Sequence, residues 1–387
     1  NMGRLRYMLP NISSKLTTKD YTLDDVLLKS DAYCYQYDSA GCLVYKRLPG
    51  TEPQLMVYDE LGQLVLKQDG NQRANGKWTM CAYASIGRIL YTAEISLTQT
   101  HEELIKYFAD KWQVEHFGNN NSFPIAGTGY ASKLLKNNNI RLLTINYYDD
   151  YDYIDILPTS LRQSLKYKQE SGYGSKHESA MGLLTGVRVY NLSEDGYTAT
   201  SYYYDANGCI IQSRSTRSSD EYKIITNIEY LFDGSVSQQQ SVQGYDEETF
   251  IQEHYHYKYD HAGRALEIKY QLNDDTEMTL SKMSYDNLGR LSQNILHGKD
   301  TIRYSYDMRN TLTEILNKHF SEKLYHADNI PEYATACYNG NISSVAITMD
   351  GELYDFAYAY DEQNRLLEMN RNHCETQSVK DYLKESY

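Results

Sequence analysis

Large side chains fall at every second position through most of the chain, from Asp31 to Leu97 and again from Leu183 to Met369. Tyr33, Tyr35 and Tyr37 form one such run, and Tyr255, Tyr257 and Tyr259 another. A period of two places each set on one face of an extended strand. The runs are punctuated by a heptad, seen most plainly in Tyr285-Asp286-Asn287-Leu288-Gly289-Arg290-Leu291. Tyr285 closes a strand and offers a large ring to a half-buried face. The Asp286 carboxylate bonds backbone N–H groups two residues on and so starts a turn. Gly289 takes a positive φ at no steric cost, and Leu291 opens the return strand. The heptad predicts a strand, a tight turn and a second strand.

The same heptad recurs around Tyr259, Asp260, Gly263 and Arg264, around Tyr58, Asp59 and Gly62, around Tyr37, Asp38 and Gly41, and around Tyr204, Asp205 and Gly208. In full copies Arg290 and Arg264 precede the return strand; Cys42 and Cys209 occupy that place in two others, which marks it as a packing position. Weaker copies lie at Tyr83 to Arg88, Phe232-Asp233-Gly234, Tyr306-Asp307 and Tyr360-Asp361 to Leu366. Neighbouring copies stand about 21 to 28 residues apart, the period of an array in which each hairpin buries its face against its neighbours.

Y-D-x-x-G-R-L at this spacing resembles the YD repeat of the bacterial rearrangement-hotspot (RHS) family, and copies run from Gly3 to Leu366. Lys46-Arg47-Leu48-Pro49-Gly50, Gln68-Asp69-Gly70-Asn71 and Tyr338-Asn339-Gly340-Asn341-Ile342 resemble that family too. The resemblance implies an all-β fold, a spiral array of twisted antiparallel hairpins with a short helical insertion. It further implies a hollow β-shell that encloses a toxin domain following it in the same polypeptide. Self-cleavage in such proteins uses an aspartate in a D-P-x-G-like segment. No Asp-Pro dipeptide occurs here, so that segment is expected outside this chain.

Four stretches follow from the pattern: hairpins over residues 1–97, a helical and loop insertion over 98–182, hairpins again over 183–370, and a tail over 371–387 that reads as helical from Ser378. Gly3-Arg4-Leu5 matches the end of a heptad, so the chain is expected to be a piece of a longer polypeptide. In the insertion, Thr100 with Glu103 makes a capping box, and Leu104, Phe108 and Trp112 follow at i, i+4 and i+8. This predicts a helix from His101 to Phe117, stopped by Gly118. Asn119-Asn120-Asn121 and Asn137-Asn138-Asn139 mark loops. Ile140 to Tyr148 reads as a strand, and Pro158 to Lys168 as a turn entering a short helix.

Composition alters the picture in one respect. Apolar residues make up 41% of the 387, but 40 of them are tyrosines, and without these the fraction falls to roughly 31%. Tyrosine must therefore supply the packing, each hydroxyl finding a partner or water. The net charge of −14 argues against nucleic acid and anionic membranes as partners. No run of 18 apolar residues predicts a membrane-spanning helix. Six cysteines are scattered without metal-ligand spacing and read as mostly free thiols.

Candidate chemistry is thin. Asp149, Asp150, Asp152 and Asp155 offer oxygen ligands but lack the glycine and distal glutamate of a calcium loop, and read as a solvated strand edge. His254 and His256 share a strand face with no third ligand nearby. Gly127-Thr128-Gly129-Tyr130-Ala131-Ser132-Lys133 has serine where G-x-G-x-x-G needs glycine, so it reads as a loop. No catalytic, metal or cofactor residue is nominated, and the chain is not expected to be an enzyme. The function implied by the resemblance is structural: a segment of the shell of a secreted or surface-delivered bacterial protein, its partners being flanking repeats and an enclosed C-terminal domain. The alternative is a cell-surface adhesion module that stacks glycan or protein on rows such as Tyr255, Tyr257, Tyr259 or Tyr202, Tyr204.

Overall fold

The computed structural model describes residues 3–9, 22–23, 25–111, 123–125, 127–132, 140–193, 195–245, 250–371 and 385–386. The chain divides into two compact units, residues 1–227 with 242–250, and residues 228–241 with 251–387. Both are built mainly from antiparallel strands, most of them hydrogen-bonded to the strands before and after in the chain.

In the first unit, Tyr7–Met8 pairs with Tyr33–Tyr37, which pairs with Leu43–Arg47 and so on through Gln54–Tyr58, Leu64–Gln68, Lys77–Tyr83 and Ile89–Ser96. Ile140–Asp149 continues the array, flanked by Ile89–Ser96 and Ala180–Tyr190. Tyr197–Tyr204, Ile210–Arg217 and the start of Lys223–Tyr230 follow. The insertion thus contributes a full strand to the sheet. In the second unit the same succession runs through Ile251–Tyr259, Ala265–Leu272, Met278–Tyr285, Leu291–Leu296, Asp300–Tyr306 and Leu312–Leu316. It goes on through Phe320–Tyr325, Ser344–Met349, Glu352–Tyr360 and Leu366–Arg371.

Four α-helices sit among the described residues, all in the first unit: α1 (Val26–Asp31), α2 (Gly70–Ala74), α3 (His101–Phe108) and α4 (Thr159–Leu165). Neither α1 nor α2 was legible in the strand pattern. Asp69-Gly70 has the look of a turn, yet Asp69 accepts from Gln72 N–H while the Gln72 side chain accepts from Asp69 N–H, a capping box that starts α2. Helix α3 begins as expected, with Glu103 accepting from Thr100 N–H at 2.8 Å. These bonds from Thr100 hold the Glu103 carboxyl below its usual range. The helix closes at Phe108, nine residues before Phe117, because Lys111 N–H turns back to the Phe108 carbonyl. Trp112 to Gly118 lie outside the described residues, as do both asparagine runs. Helix α4 falls where the sequence placed it. In the tail, Glu385–Ser386 is extended and pairs with Glu368 and Met369, which corrects the helical reading there; residues 372–384 are outside the described set.

Helices α3 and α4 and the 3-10 turn Asp152–Ile156 cover one face of the first unit's strands. Tyrosine supplies much of the core beneath them. The Tyr130 and Tyr147 rings stack at 5.6 Å, and Tyr147 and Tyr153 at 4.1 Å. Their hydroxyls reach backbone: Tyr147 donates to the Thr128 carbonyl, Tyr130 to Asn146, and Tyr153 to Thr185. A Cβ on Gly186 would collide with the Tyr153 ring, so a glycine there makes room for the stack. The loop reading at Gly127 holds only for its first half: the Thr128 hydroxyl donates to the Ile125 carbonyl within a turn, and Ala131–Ser132 then pairs antiparallel with Phe123–Pro124 in a separate two-stranded sheet.

Candidate functional site

The heptad folds the same way at each strong copy. Asp286 N–H donates to the Arg290 carbonyl, and Gly289 N–H returns to the Asp286 carbonyl. Asp286 Oδ1 accepts from Leu288 N–H and Arg290 N–H, both at 2.9 Å, and Gly289 takes φ 82°. Asp38, Asp59, Asp205 and Asp260 repeat this cap with Gly41, Gly62, Gly208 and Gly263 at positive φ. In the weaker copies at Asp307 and Asp361, Asn310 and Asn364 replace glycine, asparagine being among the residues that most readily take a positive φ. Each hairpin also carries one extra residue after the turn: Ser284 opposes Gln293 but Tyr285 opposes Leu291, leaving Ser292 as a bulge. The same shift occurs at Tyr37, Tyr58, Tyr83, Tyr204, Tyr259, Tyr306 and Tyr360. A bulge bends the strand and increases its twist.

One copy sits two residues from where the sequence pattern places it. Leu231 N–H donates to the Ser235 carbonyl and Gly234 N–H to Leu231, so Tyr230, not Phe232, holds the tyrosine place. Leu231 then stands in the aspartate position and Asp233 caps from inside the loop, accepting from Ser235 N–H.

What the sequence did not disclose is how one turn holds the next. Tyr285 donates its hydroxyl to the Ala265 carbonyl at 2.8 Å, the first residue of the previous copy's return strand. Tyr83 reaches Leu64, Tyr306 reaches Leu291 and Tyr259 reaches Val236, each at the equivalent place. Tyr204 and Tyr360 do the same to Leu184 and Ile342. The residue before the return strand is the second half of the staple. Arg264 lies over the Tyr285 ring at 4.5 Å, Arg290 over Tyr306 at 4.8 Å, and Arg4 over Tyr37. The same side chain covers the next turn's glycine: a Cβ on Gly289 would lie 2.5 Å from Arg264 Nη1, and one on Gly41 would strike Arg4. Gln63 approaches Gly87 and Cys42 approaches Gly62 in the same way, which identifies the arginine place as the cover of the following turn.

Where arginine and aspartate coincide they pair. Nε of Arg264, Arg290 and Arg365 lies 2.6–2.7 Å from Oδ2 of Asp260, Asp286 and Asp361. The Arg264 side chain holds the Asp260 carboxyl at about 2, and the Arg290 backbone N–H leads in lowering Asp286. Burial pushes the Tyr83 hydroxyl up to about 12, so it stays a donor through neutral pH. Where glutamine replaces arginine, Asp59 Oδ2 and Gln63 Oε1 are both buried without a partner.

The remaining candidates are brought into no common site. Asp149 pairs with Arg88, whose side chain holds its carboxyl low, and His256 Nδ1 lies 2.9 Å from Glu277. Among the described residues no group of three or more histidine, cysteine or acidic side chains is placed to hold a metal, and no helix is long and apolar enough to cross a membrane. The five described cysteines form no disulfide.

These features define a class: an open antiparallel array of bulged hairpins stapled through tyrosine and arginine. No family model matches the chain, nor does any curated protein. Solved structures share the fold. A crystal structure of TcdB2-TccC3-Cdc42 matches at TM-score 0.54 and 12% identity over 88% of this chain, and one of TcdB2-TccC3 matches equally. A Tc holotoxin pore of Photorhabdus luminescens matches at TM-score 0.51 and 12% identity over 92%. The chain spans only 14–16% of the length of those chains. The all-β hairpin array that the RHS resemblance implied is thus the fold found, and the three solved structures named here that share it are Tc toxin complexes.

Proposed function

We propose that this chain is a structural segment of an encapsulating shell, with flanking repeats and an enclosed toxin domain of its own longer polypeptide as partners. The polypeptide would be a secreted or surface-delivered bacterial protein, and this segment would carry out no catalytic step. The staple is the observation that carries the reading. It ties a hairpin to the one before by a tyrosine hydroxyl, joined at Tyr285 and Tyr306 by an arginine over the ring, a rule that further hairpins can satisfy in turn. The fold shared with much longer Tc toxin chains supports it. The adhesion alternative rests on free tyrosine rows, whereas Tyr259 and Tyr204 spend their hydroxyls on neighbouring carbonyls.

Outer strands of such an array offer unpaired backbone to another chain. Sedimentation velocity of the 387-residue chain should therefore show concentration-dependent association, relieved when flanking repeats are restored. A monomer at every concentration would count against a shell segment and for a self-contained domain.

A further inference from the structure

Arg47 is a buried cation without a counter-ion. It closes the strand Leu43–Arg47, opposite Cys34 of the neighbouring strand, and is only 3% exposed. Its Nη1 donates to the Leu23 carbonyl at 2.7 Å, and its Nη2 lies 3.5 Å from Cys34 Sγ, a weak acceptor. Nε is buried with no partner. Arg264, Arg290 and Arg365 each pair with an aspartate, whereas no salt bridge among the described residues includes Arg47. Arg188, as deeply buried, at least lies over the Tyr147 and Tyr197 rings. A guanidinium taken out of water without a charged partner is costly, and an anion that completes the pair relieves the cost.

A cleft of about 580 Å³ opens beside Arg47, between α1 and the connection Gly50 to Pro53. Gly50 N–H donates to the Lys29 carbonyl and so ties that connection to the helix. The volume is that of a small-molecule site. Leu23, Val26, Tyr45 and Pro53 give it apolar walls. Its charged lining is Arg47 and Lys29 against Glu52, one positive charge in excess within a chain of net charge −14. The Glu52 carboxylate stands 3.5 Å from Arg73, so it is drawn to a cation other than Arg47. A phosphate dianion brings more charge than this lining balances and offers nothing to the apolar walls. A neutral ligand leaves Arg47 uncompensated. A carboxylate on an apolar body meets both conditions, since the planar fork of arginine matches two carboxylate oxygens.

We propose that this cleft binds a small monocarboxylate with an apolar body, its single charge completing that of Arg47. The site does not rest on the shell reading. Ligand-observed saturation-transfer NMR on the full chain tests it, with hexanoate and phenylacetate as probes, hexanamide and phenylacetamide as their neutral counterparts, and inorganic phosphate as competitor. At least one carboxylate should show transfer and should bind about tenfold tighter than its amide, the scale of a hydrogen bond to a charged group. Phosphate should not displace it. Val26 is 81% exposed at the cleft, so Val26→Glu keeps the fold and sets a like charge beside the ligand. Affinity for the carboxylate should then fall about fivefold while that for the amide holds. Arg47→Met should erase the preference for carboxylate over amide; circular dichroism shows whether this variant is folded, and Val26→Glu decides the matter where it is not. No transfer from either carboxylate, an amide that binds as tightly as its carboxylate, displacement by phosphate, or an unchanged carboxylate affinity in Val26→Glu would each overturn the proposal.

Discussion

In the unit of residues 1–227, Leu66, Ile145, Tyr147, Tyr153 and Leu165 are shut away from solvent beneath α3, α4 and their connecting turns. In the unit of residues 251–387, Val345 and Ala357 are the buried apolar residues among those described, and most strand positions are half exposed. The turn chemistry differs in the opposite sense. In the first unit the arginine place holds Cys42, Gln63 and Cys209, and Arg88 follows Ala84 in place of aspartate. In the second, Arg264, Arg290 and Arg365 each pair with the aspartate of their own turn. The hairpin with its bulge and tyrosine staple is common to both. A covered core accompanies turns without the ion pair, and the ion pair accompanies strands without a covered core. Geometry comes from the shared motif, and the two units draw their stability from different places.

The largest contrast should come from the rings. Tyr153 is 2% exposed and stacks on Tyr147. Tyr153→Ala is expected to cost about 3–5 kcal/mol, the usual range for deleting a buried aromatic. Tyr285, half exposed in the second unit, should cost less than half as much on replacement by alanine. Urea unfolding with hydrogen exchange, which assigns opening to each unit, makes the comparison. Equal costs would mean that the second unit hides a core as effective as the first.

Glycines separate turn geometry from turn stacking. Gly263 and Gly289 have φ of 76° and 82°, so a Cβ at either is strained by roughly 1–2 kcal/mol. Nothing lies within 4 Å of a Cβ built on Gly263, whereas one on Gly289 meets the Arg264 guanidinium. Gly289→Val should therefore lower the melting temperature further than Gly263→Val. Identical shifts would show that the arginine cover yields freely and contributes little to stacking.

The turns were legible because everything they need is local. Aspartate caps its own loop and glycine supplies its own φ, so seven consecutive letters suffice. The staples were not, because the acceptor of Tyr285 is a backbone carbonyl twenty residues earlier, brought near only by register and bulge. Cys42 and Cys209 showed that the arginine place tolerates exchange, but only the next turn's glycine reveals what the place covers. Phe232 misled because its Asp-Gly imitates the motif, while the hydrogen bonds obey the strand that ends at Tyr230.

The smallest effect bears most directly on the exchange between core and ion pair. Asp59 Oδ2 and Gln63 Oε1 are both buried without a partner, in the place where the second unit sets arginine against aspartate. A buried polar atom left unpaired costs more than a formed hydrogen bond returns. Gln63→Arg removes one orphan and gives the other a charged donor, in the geometry already realised by Arg290 and Asp286. The added guanidinium must also lie over Gly87, where Gln63 already reaches within 3.3 Å of a Cβ position. The gain is expected to be about 1 kcal/mol, since exposed ion pairs contribute little and the benefit comes from relieving the orphans. Thermal unfolding of Gln63→Arg against the parent chain measures it, with Gln63→Leu as the reference that removes one orphan but adds no donor. If leucine stabilises as much as arginine, the ion pair is incidental to the turn. If arginine alone stabilises, the first unit has forgone a contact that its covered core made dispensable.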